Sequence, residues 1–399
     1  MKAVIGSIKR FWERYKEENQ NIQLSVPIIG GFTANIPLAE KGKIKPTKVG
    51  TDALDQNSTF VEANTASLLK FYTKYESEKE YKFCRAPYAE TIPLRKGLTG
   101  FPYGKNVDDL QIVFIDAKFS LPHYLLKHAE HAVEIFKKLR KIRFDEKTGE
   151  WQNDDAIRIT KLDLAENKVY IQPATYFDQI ATNLTLDWAS GLLGEDSLLT
   201  IRNYVEKHQD GQLPPLRSSI LANTLGVAVV LINPETQDML IPIRGNEQAI
   251  MHGAAGKFHC SASGVFAWNE TDNDKHALTF DFFIEGMAKE IESEIGLKPE
   301  QYELIPLAFT RELVRGGKPQ LFFVAKTNLD IKTIQSDMKF AEESWEFIDQ
   351  DSLTEDSPLY QYIQSPSNAP QELFTYEGWM AIKIAAAYFY STEPPFSTC

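Results

Sequence analysis

Ala288-Lys289-Glu290-Ile291-Glu292-Ser293-Glu294-Ile295-Gly296-Leu297 is a short acidic segment that stops at a glycine. At helical spacing Glu290 and Glu294 stand one turn apart and project from one face. Like charges so placed repel, so folding alone does not select them. A divalent cation between them converts the repulsion into binding, because hard cations take carboxylate oxygens. Ile291, Ile295 and Leu297 supply the opposite, buried side, and Gly296 suits a left-handed C-cap.

The expected helix spans roughly 281–295 and is bracketed by strands. Upstream, Leu225–Ile232 reads as a buried strand, Asn233–Asp238 as a turn and Met239–Arg244 as a second strand, together a hairpin. Phe258–Val265 extends towards Gly264. Downstream come strands at Tyr302–Phe309 and Gln320–Lys326, with Arg315-Gly-Gly-Lys-Pro319 as the turn between them, and a last helix near Tyr376–Tyr390. Earlier in the chain a helix is expected near 3–18 and a polar loop over 40–65. A strand at Gln111–Phe119 precedes a helix that starts at Pro122, which suits a first-turn proline, and runs to Leu139. Short strands follow near 157–164 and 168–172, then helices near 177–183 and 198–208. Strands and helices do not alternate as βαβ units, so the class is α+β with a mixed sheet.

A length of 399 residues suggests two domains. The sharpest punctuation, Asp210-Gly-Gln-Leu-Pro-Pro215, divides an α+β domain of unassigned role (1–210) from a second domain (216–399). Charge follows the same division. Residues 1–150 hold 25 Lys+Arg against 19 Asp+Glu, whereas 151–399 hold 18 against 36. The mild basic excess is too thin to predict a nucleic-acid partner, and a solvated surface accounts for it. No apolar run reaches the 18 or so residues of a membrane span. The N-terminal stretch lacks the apolar centre of a signal peptide, and the three cysteines are odd in number and far apart. These features suggest a cytoplasmic protein with free thiols.

From Leu225 to Asp349 the order of elements resembles the Nudix hydrolase family, whose box is G-x5-E-x7-R-E-U-x-E-E-x-G-U with U aliphatic. Glu290, Ile291, Glu294, Gly296 and Leu297 match its last positions. Lys289 stands in place of the arginine and Ser293 in place of the first glutamate of the pair. Strict counting puts Asp281 at the upstream glutamate and Lys275 at the glycine; Gly264, 25 residues before Lys289, is the better candidate for that glycine. The resemblance implies an α/β/α sandwich around a mixed sheet. It implies Mg2+ or Mn2+ on Glu290 and Glu294, with Lys289 orienting the acidic group. The implied reaction is hydrolysis of the pyrophosphate in a nucleoside diphosphate linked to another moiety. A nucleotide-type small molecule is then the partner, and a homodimer is left open.

Other residues have a functional and a plain reading. Arg244 ends a strand where it could meet phosphate, or is an ordinary exposed arginine. Arg311 and Arg315 flank Gly316-Gly317 and could grip phosphate, or be neighbours of a tight turn. Phe309 and Trp268 could stack on a base, or pack in the core. Glu285, Asp281, Glu342, Glu343 and Glu346 are reserve carboxylates for a second metal. His123, His128 and His131 fit no metal-ligand spacing and are read as surface histidines. Because Ser293 and Lys289 depart from the box, a degenerate domain that senses a nucleotide without cleaving it is the rival to an enzyme. A regulator linked to nucleic acid is a third reading.

Overall fold

The computed structural model describes residues 25–28, 32–35, 59–60, 71–78, 86–138, 141–189, 200–202, 211–244, 256–268, 278–343, 347–349, 352–353 and 374–390. The helix expected near 3–18 and most of that near 198–208 lie outside them. The earlier part of the chain supplies β1 (Tyr88–Lys96), β2 (Gln111–Phe114), α1 (Leu126–Lys138), β3 (Asp155–Asp163), β4 (Lys168–Thr175) and α2 (Tyr176–Ala181). α1 turns His128, Ala132, Ile135 and Phe136 inward at helical spacing. α2 starts at a capping box, in which Asp178 N–H donates to Thr175 Oγ1 and Thr175 N–H donates to the Asp178 carboxylate.

The later part supplies β5 (Gly226–Ile232), β6 (Met239–Leu240), β7 (Ala262–Val265) and α3 (Asp281–Ile295). β8 (Glu303–Glu312), β9 (Lys318–Lys326), α4 (Ile331–Asp337) and α5 (Tyr376–Tyr390) follow. α3 occupies the expected span and ends at Gly296, with φ of 81°. That left-handed C-cap returns the Gly296 N–H to the Ile291 and Glu292 carbonyls.

The class is α+β, as expected. In the main sheet β6, β5, β9, β8 and β1 lie side by side, and β7 pairs with the first half of β5. β5 and β9 run parallel, whereas β9–β8, β8–β1 and β5–β7 are antiparallel. β5 is buried throughout, so its two sets of alternating side chains enter two cores. Val227, Val229 and Leu231 pack with Phe283, Met287, Ile291 and Ile295 of α3. Ala228, Val230 and Ile232 pack with Trp379, Met380, Ile382 and Ile384 of α5. α5 is apolar almost all round because it lies under cover, a pattern that excludes a solvent-facing helix. Truncating Ile291 to alanine would cost about 2–5 kcal/mol in lost burial and cavity formation.

The sheet does not follow the boundary expected at 210–216. β1, from the earlier part, forms strand pairs with β8, and Thr91 Oγ1 lies 2.8 Å from Thr310 Oγ1 across that pair. The smaller sheet β3–β4–β2 sends Ile157, Ile159, Val169 and Ile171 into the same core as Val227 and Val229. Earlier residues also hold the turn between β8 and β9. Arg202 pairs with Asp187 and donates to the Leu313 and Val314 carbonyls, while Asn183 Nδ2 donates to the Arg315 carbonyl at 2.8 Å.

Candidate metal site

α3 carries Glu290 and Glu294 on one face, one turn apart, beside β7. A third carboxylate, Glu343, comes from the loop that follows α4. Its backbone N–H donates to the Ser293 carbonyl at 2.9 Å, and Ser293 Oγ donates to Glu343 Oε2 at 3.4 Å. The three carboxylates each offer an oxygen, and these oxygens lie within 4.8 Å of one another. Three like charges at that separation repel strongly unless a cation sits among them.

The walls around the three are tight. Glu294 is only 1% exposed and accepts from the Ser263 backbone N–H, with both carboxylate oxygens 3.3–3.4 Å away. At Gly264 a Cβ would lie 2.5 Å from the Glu290 carboxyl carbon, so glycine lets the strand approach that side chain in its present place. Ser263 is itself fixed from behind. His259 places Nε2 2.9 Å from Ser263 Oγ and Nδ1 2.6 Å from Thr375 Oγ1. Burial, then the charges of Arg244 and Arg315, holds the pKa of this imidazole well below the usual histidine value. With both ring nitrogens occupied by hydroxyls, His259 supports the site from outside the donor set.

An all-oxygen, all-carboxylate donor set suits a hard cation such as Mg2+ or Mn2+. No cysteine or histidine belongs to the group, which argues against zinc.

The other expected site residues are placed as follows. Lys289 is exposed on α3, one residue before Glu290. Its position is rotated from that of Glu290 by about 100° around the helix. Phe309 is 6% exposed and lines an apolar pocket with Leu94, Phe283 and Leu321, so it packs in the core and cannot stack on a substrate. Trp268 likewise stacks on Phe114, with ring centroids 4.6 Å apart. Arg311 is buried, donates to the Gly317 carbonyl and pairs with Glu90 at 3.1 Å, so its charge is already matched. Asp281 pairs with Lys96, and Glu285 is exposed; neither joins the group. Glu342 is exposed and Glu346 lies outside the described residues. Arg244 ends a short strand, as expected, and its charge acts on His259 and Glu377.

His128 is buried, contrary to the surface reading. It lies 3.0 Å from Thr185 Oγ1, and burial lowers its pKa to about 4. His259 carried no sequence signal, because its function here depends on Ser263 and on Thr375, which is 116 residues away.

No protein-family model matches the chain, and no curated protein matches it. Among solved structures, the crystal structure of DR0079 from Deinococcus radiodurans aligns over 37% of this chain and 77% of its own, with 13% identity and a TM-score of 0.25. Among the described residues, no helix is long and apolar enough to cross a membrane.

Proposed function

We propose that this chain is a divalent-metal-dependent pyrophosphohydrolase of the Nudix type. It would cleave the diphosphate of a nucleoside diphosphate linked to another moiety, as a cytoplasmic enzyme. The observation that carries this reading is the convergence of Glu290, Glu294 and Glu343 beside Gly264. When bound, Mg2+ or Mn2+ would neutralise the clustered charge of the diphosphate and lower the pKa of a coordinated water. Glu290, Glu294 and Glu343 would hold the ion, and the Ser263 N–H would keep Glu294 oriented. Arg244 would meet the phosphate from the strand end.

Ser293 bears on this reading directly. A serine at that box position removes one carboxylate, and Glu343, hydrogen-bonded to the same serine, supplies another. The rival reading, a nucleotide sensor without turnover, draws on Lys289 and Ser293, which stand where the box has an arginine and a glutamate.

The test is release of nucleoside monophosphate from a panel of nucleoside diphosphate derivatives with Mg2+ or Mn2+. The expected result is turnover that Glu290→Gln abolishes. Turnover unaffected by that change would reject the site. Calorimetric binding of a nucleotide without its consumption would favour the sensor.

A further inference from the structure

A second group of ionisable side chains lies on the α5 face of the main sheet, at the end near the β8–β9 turn. Tyr88, Glu312 and Lys318 form one row across three neighbouring strands, since Glu312 is in register with Tyr88 on one side and with Lys318 on the other. The three are 1–2% exposed. Arg315 reaches the row from the turn, with Nε 3.5 Å from Glu312 Oε2. Glu377 descends from the first turn of α5 and accepts from Gln320 Nε2 at 2.6 Å.

This group has more donors than acceptors to receive them. The Tyr88 hydroxyl and Arg315 Nε are buried without a hydrogen-bond partner among the described residues. Lys318 Nζ makes a long contact of 3.4 Å, to Gln320 Oε1. Buried donors left unsatisfied cost about 1–3 kcal/mol each, so folding alone does not explain their collection in one place. The charge count points the same way. Arg244, Arg315 and Lys318 all act on Glu377, while Glu312 and Glu377 are the opposing carboxylates among the described residues.

The space for Lys318 is also built in. A Cβ on Gly226 would lie 2.4 Å from Lys318 Nζ and 1.9 Å from Gln320 Oε1, so β5 has glycine where the lysine must pass. Burial, and then Arg315, lowers the Lys318 pKa to about 8, while Glu312 and Glu377 act in the opposite direction. Arg315 is held in place from a distance, by the Asn183 and Arg202 contacts to its turn. Partial exposure of the Arg315 and Glu377 side chains, 15% and 20%, gives the group an edge towards solvent.

We infer that Tyr88, Arg315 and Lys318 form an oxyanion-binding subsite, which takes a phosphate group. Neighbouring side chains lead from it towards the metal site: Gln320 donates to Glu377, His259 Nε2 stands 4.0 Å from Glu377 Oε2 without a hydrogen bond, and His259 bonds Ser263, whose N–H reaches Glu294. The phosphate would come from the substrate of the reaction proposed above, or from free phosphate acting on the enzyme. To that extent the inference rests on the pyrophosphohydrolase reading, but its primary test does not.

That test is binding of inorganic phosphate to the full chain in EDTA, followed by phosphorus NMR line broadening. The expected result is saturable binding to the wild type and to Glu290→Gln. Lys318→Met and Tyr88→Phe should weaken it by about tenfold or more, the loss of one or more charge-assisted or buried hydrogen bonds. Tyr88→Phe keeps the ring and its packing, so it reports on the site even if Lys318→Met fails to fold. Absence of binding to folded wild type, or equal binding by Tyr88→Phe, would overturn the inference and leave buried water as the partner of these donors. Turnover then separates the sources. A raised KM with unchanged kcat in Tyr88→Phe supports the substrate's phosphate. A change of kcat on adding phosphate, lost in Tyr88→Phe, supports the free anion.

Discussion

The backbone N–H of Glu343 donates to the carbonyl of Ser293 at 2.9 Å, so the third carboxylate is tied to the helix that carries the other two. Ser293 also donates its hydroxyl to that carboxylate and lies within 3.3 Å of the Glu290 carbonyl. The serine is a bracket, and its value lies in where it holds Glu343.

Ser293→Ala should therefore weaken metal binding without removing a ligand. Loss of an outer hydrogen bond to a metal ligand typically costs about 10–100-fold in affinity. Glu343→Gln should cost at least as much. Titration with Mn2+ followed by electron paramagnetic resonance would measure both. An affinity equal to wild type in Glu343→Gln would exclude Glu343 as a ligand.

Gly264→Ala sets a methyl group 2.5 Å from the Glu290 carboxyl carbon. Overpacking of this kind costs about 1–3 kcal/mol unless the neighbour moves. Glu290 can swing away at one cost, its place in the metal site. The expected outcome is a modest fall in melting temperature together with a large fall in Mn2+ affinity. A variant that binds Mn2+ normally would show that the contact is easily relieved.

Acid should destabilise this fold early. His128 has a folded pKa of about 4, below the unfolded value of 6.5, and that of His259 is lowered in the same direction. Between those values the unfolded chain binds more protons than the folded one, so stability is lost as pH falls from about 6.5 towards 4. Urea unfolding across that range should show the loss, and His128→Gln should flatten it. A profile for His128→Gln that matches wild type would assign the acid sensitivity elsewhere.

A fragment of residues 211–399 should not fold independently. It removes β1 from the edge of β8 and takes Ile157, Ile159, Val169 and Ile171 out of a shared core. An exposed strand edge beside bare apolar surface favours aggregation. Size-exclusion chromatography and circular dichroism of the fragment would decide the matter. A monomer with a cooperative melt would support the two-domain division.

Much of the later half was legible because its signals are local. Glycine at 296, the apolar spacing of Ile291 and Ile295, and the turn at Gly316-Gly317 each act within a few residues. They place α3, β8, β9 and α5 within a residue or two of the expected bounds, β8 apart, which runs three residues further. β1 was missed because its order comes from a partner strand far along the chain. Glu290 and Glu294 were readable from one helix turn, whereas choosing Glu343 over Glu342 required the backbone bond to Ser293. Phe309 and Arg311 misled for a related reason. Residue type advertises a capability, and only burial reveals whether packing or Glu90 has already used it.

The Thr91–Thr310 contact joins residues 219 positions apart. During synthesis β1 leaves the ribosome long before β8 exists. At translation rates of about 5–20 residues per second it waits at least ten seconds or so with its edge unmatched. The central sheet can close only once β8 has been made, which makes this a chain that a chaperone would have time to meet.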